Sequence, residues 1–254
     1  MPVATVELKS AKEIAGMREA GAIVAAVLRV LSQAAQAGVA TAELDRIAAA
    51  ETKARGAKPA FLGYRGYPAT LCVSINEEVV HGIPKADRRL AAGDIVSLDF
   101  GVVFNGLFAD GAVTVGVGPV GAKAQALMDA TREALVRGID EMRPDRRVGD
   151  VSAAIQRYVE SKGFSVVRSF VGHGIGRALH EDPAVPNFGK AGTGLRLAPG
   201  MVLALEPMVN AGDFDVRVQD DGWTAVTRDG KWSAHFEHTV AVTQGEPEIL
   251  TVER

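Results

Sequence analysis

Two segments far apart in the chain, AGDIVSLDF (92–100) and PGMVLALEP (199–207), repeat one pattern: glycine, one variable residue, two apolar residues and, six positions after the glycine, an acid. The acids are Asp99 and Glu206. Further along, Asp110 is followed by valines at +3 and +5 (Val113, Val115), and Glu237 by Val240 and Val242 at the same offsets. Acids embedded in apolar strands are costly to bury unless something pairs with them, so any fold of this chain must bring partners to these four positions. What precedes the strands also repeats. Residues 10–56 read as two helices broken at Gly38, the second opening at Thr41, and residues 121–162 as two helices broken around Arg143–Pro144, the second starting near Val148. Helix, helix, hairpin, twice, predicts an α+β fold in which pseudo-twofold duplicated halves surround a central antiparallel sheet with helices on one face. The 254 residues are then one domain whose halves divide near 1–118 and 119–254.

The first hairpin can be worked out. Asn105–Gly106 between apolar strands signals a two-residue type I′ turn. That turn pairs Phe104 with Leu107 and places Asp99 opposite Ala112, so Asp99 and Asp110 share a face as diagonal neighbours, roughly 7–8 Å apart at the backbone. The second hairpin has no derivable register, because 30 residues separate Glu206 from Glu237. If the halves face each other, four carboxylates meet, and two divalent cations would neutralise them. Oxygen-rich coordination with one imidazole favours manganese, ferrous iron or cobalt, and paired metals are a recurrent hydrolytic device.

The stretch FVGHGIGRALHEDP (170–183) carries two histidines seven apart. Glycines at 172, 174 and 176 make a helical zinc motif through His173 costly, and the glycine spacing is not the dinucleotide fingerprint. On its own a glycine-flanked histidine is compatible with a structural role. Composition narrows the rest. A net charge of −3 offers no field for nucleic acid or anionic membrane, and the single cysteine, Cys72, excludes an internal disulfide and suits a reducing compartment. GAIVAAVLRVL (21–31) is too short to span a bilayer, and Glu7, Glu13 and Glu19 before it are wrong for a secretory signal. The expectation is a cytoplasmic protein.

Together, SINEEVVHGIP (74–84), LDF with Asp99, FAD with Asp110, GHGIGRALHEDP (172–183), LEPMVN (205–210), DGWTAVT (221–227) and SAHFEHT (233–239) resemble the type I methionine aminopeptidases, in order, from about residue 10 to the C-terminus. The resemblance implies a pita-bread fold and removal of initiator methionine from nascent chains whose second residue is small. It implies two divalent metal ions (cobalt, manganese or ferrous iron) on five ligands, which fall here on Asp99, Asp110, His173, Glu206 and Glu237. A water between the metals would attack the first peptide bond, with Glu206 as its proton acceptor. His81 and His180 match two active-site histidines that are not ligands: His81 to hold the substrate amide or relay a proton to the leaving amine, His180 to donate to the substrate carbonyl. Tyr64, Tyr67, Cys72 and Trp223 match the methionine pocket. Leu179 departs from the phenylalanine frequent in bacterial relatives, and Phe61 is expected to refill the space. Type I is favoured over type II because no long insertion separates His180 from Glu206 and no zinc-binding or ribosome-docking extension precedes the domain. The implied partners are nascent polypeptide N-termini at the ribosome, with no nucleic acid, no membrane and a monomeric state. The chain's own Met1–Pro2 start obeys the same rule.

Two residues stay outside this scheme. His235 shares a strand face with Glu237, so it either lines the edge of the site or lies on the sheet surface, and the surface is the expectation. Cys72 is expected as a pocket wall, since no histidine is placed by sequence to activate it. The rival readings are an X-Pro aminopeptidase or prolidase, which usually carry an additional N-terminal domain, and a non-catalytic binding module of the same fold, which would lose metal ligands.

Overall fold

The structure, a computed structural model, describes residues 6–253; Met1 and Pro2 lie outside them. Its helices are α1 (Ala11–Ala34), α2 (Thr41–Ala54), α3 (Ala122–Asp140) and α4 (Val148–Ser161). The first half of the chain gives strands β1 (Lys58–Pro59), β2 (Cys72–Ile75), β3 (Glu78–Val80), β4 (Ile95–Phe104) and β5 (Leu107–Gly116). After the second helix pair come β6 (Ser165–Val166), β7 (Gly172–Gly174), β8 (Glu181–Val185), β9 (Val202–Leu205) and β10 (Met208–Asn210). The last stretch adds β11 (Val216–Val218), β12 (Ala225–Thr227), β13 (Ser233–His235), β14 (Glu237–Ala241) and β15 (Glu248–Ile249).

Helix α1 starts where Ser10 and Glu13 form a reciprocal capping box, each side chain holding the other's backbone N–H. Its buried stripe, Met17, Ala20, Val24, Val27, Leu28 and Leu31, recurs at helical spacing and packs on the hairpin of β4 and β5. The break after α1 is at Gly38, which takes the left-handed φ of 87° that few side chains tolerate. Val24, Leu28, Leu44, Leu98 and Phe100 belong to one core; Leu127, Ile155, Leu203, Leu205 and Val240 belong to a second beneath α3 and α4. Each helix pair therefore covers its own half of one sheet. That sheet has nine strands among the described residues, in the order β1-β4-β5-β14-β9-β7-β8, with β2 also on β4 and β15 also on β14. The β4–β5 turn is the expected one: Asn105 and Gly106 have φ of 51° and 80°, Phe104 pairs with Leu107, and Asp99 with Ala112.

The register of the second half emerges only in three dimensions. Glu237 pairs with Ala112 on β5, and β14 runs along β9 with His238 opposite Leu205. Continuing that register by one residue sets Glu206 opposite Glu237. Asp99, Ala112, Glu237 and Glu206 thus form one row across four neighbouring strands, with a local twofold between Ala112 and Glu237. This twofold relates Asp99 to Glu206, as expected, but relates Asp110 to His235 and not to Glu237. The valine offsets align Asp110 with Glu237 two residues out of true, because valines alternate along both strands. Two threonines show the symmetry directly. Thr239 Oγ1 accepts from the Asp110 N–H at 3.0 Å and donates to its carbonyl at 2.8 Å, while Thr114 Oγ1 does the same for His235 at 2.9 and 2.7 Å.

Candidate metal centre and active site

Four of the five expected ligands follow from the row of strands. Asp99 and Glu237 flank the small Ala112, and Asp110 lies two residues along β5 on the same face. Glu206 follows the end of β9, and His173 pairs with Ala204 two residues before it. The glycines around His173 serve the strands and not the imidazole: a Cβ on Gly172 would lie 2.3 Å from the Ala204 carbonyl, and one on Gly174 would lie 2.2 Å from that of Asp182. Close approach of β7 to β8 and β9 is what brings His173 over the acids.

The donor set fits a hard divalent cation. His173 Nδ1 sits 2.9 Å from the Gly174 carbonyl, which can only accept, so the ring proton is on Nδ1 and the Nε2 lone pair faces the acids, 3.5 Å from Glu206 Oε1. Ligand atoms of Asp110, His173 and Glu237 lie within 4.8 Å of one another. Asp99 Oδ1 and Glu237 Oε1 are buried without a hydrogen-bond partner. Burial pushes Asp99, Glu206 and Glu237 well above the usual carboxylate range, their neighbouring acids adding to it, and pushes Asp110 up to about 7 against a hydrogen bond from the Gly111 N–H. His173 is held down to about 4 by burial, so it is neutral and able to ligate near pH 7.

Beside the acids opens a cavity of about 170 Å³, the size of one side chain and smaller than the ~300–1,000 Å³ of drug-sized sites. All five candidate ligands line it, as do His81, His180, Tyr64, Tyr67, Cys72 and Trp223, so the structure brings together every site residue expected from the sequence. Leu179 and Phe61 line the same cavity. Tyr67 is edge-on to Trp223 (centroids 5.1 Å apart), and its hydroxyl lies between the carbonyls of Leu71 and Gly82 at 3.2 and 3.0 Å. Cys72 is a wall: burial and then Asp99 raise its thiol well above the ordinary value, the opposite of an activated nucleophile.

His180 stands at the mouth, its ring 4.1 Å from that of His173, stacked on Tyr64, with Nδ1 2.9 Å from the Tyr64 hydroxyl. His81, with φ of 62°, leaves β3 in the left-handed region and packs edge-on against Phe170 and Trp223. Burial holds both imidazoles down to about 4, each histidine neighbour adding to it. Two supports were not legible beforehand. Phe170 is named by no motif, though it opens the quoted histidine stretch. Glu181 accepts from the N–H groups of Arg177 and Ala178 at 2.6 and 3.0 Å and pairs with the buried Lys9, fixing the turn that carries His180. One expectation is overturned: His235 is not at the sheet surface but 1 % exposed, because β13, which ends on it, pairs with β10 and packs against β3, β4, β5 and α3.

Comparison with known proteins gives the family and the fold. The model of metallopeptidase family M24 matches residues 15–244. The methionine aminopeptidase of Clostridium perfringens is 52% identical over 245 residues, 96% of this chain and 98% of its own. The crystal structure of methionine aminopeptidase from Thermotoga maritima superposes with a TM-score of 0.97 at 48% identity, covering 98% of this chain and 100% of that one. The prolidase from Pyrococcus horikoshii superposes at 0.79 with 21% identity, covering 97% of this chain and 64% of its own, which is a likeness of fold alone.

Proposed function

The chain belongs to metallopeptidase family M24 and has the pita-bread fold, and from that premise we propose that it is the methionine aminopeptidase its relatives are, removing initiator methionine from nascent chains. The observation that carries the reading is the meeting of four buried acids and one correctly protonated histidine beside a cavity of side-chain size. Asp99, Asp110, His173, Glu206 and Glu237 would hold two divalent ions of the manganese, ferrous or cobalt kind. When bound, the ions supply Lewis acidity, lowering the pKa of water and polarising the scissile carbonyl. The chain's own residues do the rest. Tyr64, Tyr67, Cys72 and Trp223 wall the methionine side chain. Glu206, held ionised beside the cations, would accept the proton of the attacking water. His81 holds the substrate amide near the leaving nitrogen, and His180 donates to the carbonyl oxygen. One catalytic domain, with halves meeting near residue 118, acts as a cytoplasmic monomer on chains emerging at the ribosome. No helix among the described residues is long and apolar enough to cross a membrane.

Hydrolysis of Met-Ala-Ser by metal-loaded protein, with none of an Ala-Pro peptide, tests the reading against a prolidase-like one. The narrow cavity also sets a selectivity. One missing methylene in such a pocket is worth ~1–3 kcal/mol, so norvaline-Ala-Ser is expected to fall roughly tenfold or more below Met-Ala-Ser in kcat/KM. Met-Lys-Ser is expected to fall further; equal kcat/KM on Met-Ala-Ser and Met-Lys-Ser overturns the small-second-residue rule.

Metal and stability should be linked through pH. Asp110, raised to about 7, is protonated in metal-free protein at pH 5, and its contribution to stability is present below the unfolded range near ~4 and lost as pH rises through about 7, with Asp99, Glu206 and Glu237 shifted in the same direction. Divalent ions take the ionised form and reverse that loss. The rise in Tm on adding manganese is therefore expected to be small at pH 5 and to grow towards pH 8. Calorimetric scans showing a rise independent of pH would contradict the ligand assignment.

A further inference from the structure

Behind the metal centre, His235 is buried with no hydrogen-bond partner on either ring nitrogen. Unpaired buried polar atoms forfeit their hydration, and two on one ring call for a specific use. The backbone at this residue is fixed. Thr114 Oγ1 bonds both its N–H and its carbonyl and is itself 2.8 Å from Ser97 Oγ, so the stretch that carries the imidazole is held in place. The local twofold makes His235 the counterpart of Asp110, which points into the site from the other half. From its side, His235 Nε2 comes to 4.0 Å from Glu237 Oε2, about 1 Å beyond a hydrogen bond, while Glu237 Oε1 has no hydrogen-bond partner. A small rotation of either side chain closes the gap.

We propose that His235 is a positioning residue for the metal centre: its Nε2–H donates to the Glu237 carboxylate, fixing which oxygen faces the cation. A neutral imidazole has one N–H, so Nδ1 then remains an acceptor. The proposal rests on the reading of Glu237 as a ligand. Carboxylates that ligate metals are themselves usually hydrogen-bonded, and removing such a partner typically costs ~10–100-fold in metal affinity. His235 does not touch substrate in this scheme. Its effect on turnover passes through Glu237.

The test is calorimetric titration of manganese into wild type, His235→Leu and His235→Gln. Leu fills space without a donor and should weaken manganese binding by ~10–100-fold at one site. Gln keeps an N–H at similar reach and should recover most of that affinity. Wild-type binding by His235→Leu, or equal losses in the two variants, overturns the proposal. A second measurement needs no variant: on loading wild type with diamagnetic zinc, the His235 Nε2–H resonance should move downfield and exchange slowly with water. An unchanged His235 ring signal in zinc-bound protein also overturns it. Wild type that takes up neither metal overturns the metal-centre reading, and this proposal with it.

Discussion

Asp99→Asn and Glu237→Gln are expected to leave a folded protein that no longer holds its full metal complement and retains almost no turnover of Met-Ala-Ser. Both acids flank Ala112 in the row across β4, β5 and β14, where no larger side chain separates them. The amides keep the volume and one oxygen but lose the charge that a divalent ion needs. Metal-free stability should hardly suffer. Burial and neighbouring acids already drive these carboxyls towards the protonated form, so near pH 8 an amide relieves repulsion and should raise the Tm of chelated protein. This opposite pair of effects, less metal and a more stable metal-free fold, distinguishes ligands from ordinary buried acids. Titration calorimetry showing unchanged stoichiometry and affinity in either variant would remove that residue from the ligand set, and full activity in rigorously metal-free wild type would remove the metal centre.

The two histidines of the 170–183 stretch should separate as cleanly. His180→Ala is expected to lower kcat by ~10²–10³ with normal metal content, the usual loss on deleting a donor aimed at developing oxyanion charge. Its Nδ1 is engaged by the Tyr64 hydroxyl, which leaves Nε2 for the substrate carbonyl, and its neutral state keeps a single well-placed proton. His173→Ala should lose metal affinity as well as rate, because it removes the one nitrogen donor whose lone pair faces Glu206. The assignment fails if His180→Ala loses metal as readily as His173→Ala, or if metal-saturated His180→Ala turns over at the wild-type rate.

Local chemistry wrote much of this into the chain. Asn105–Gly106 admits one tight turn, and that turn by itself dictates that Asp99 faces Ala112, since a pleated strand alternates its faces with a period of two. Gly38 and Arg143–Pro144 mark the turns between paired helices, a few residues past the ends of α1 and α3, for reasons confined to one or two residues. Acids inside apolar strands announced a cation before any partner was known. The seven motif segments supplied the histidines and Trp223, because each motif keeps its chemistry in a short run of chain; Tyr64, Tyr67 and Cys72 lie outside them and came from the wider resemblance.

Tertiary structure decided what depends on pairing between distant strands. The 30 residues between Glu206 and Glu237 left their register open, and only the fit of β14 between β5 and β9 makes Glu237 the neighbour of both Ala112 and Glu206. For the same reason the true counterpart of Asp110 is His235, which valine spacing could not reveal: alternation is blind to a shift of two residues, whereas the threonine clamps across β5 and β14 are not. Strand periodicity put His235 on the face of Glu237, but its burial was decided by β13 pairing with β10 and packing against β3, β4 and β5, contacts between distant parts of the chain. The Lys9–Glu181 pair joins residues 172 positions apart, a contact no local pattern encodes. Sequence fixes which faces must be buried and what chemistry they carry; which buried faces meet is set by packing, whose energy is shared among residues too far apart in the chain to leave a local signature.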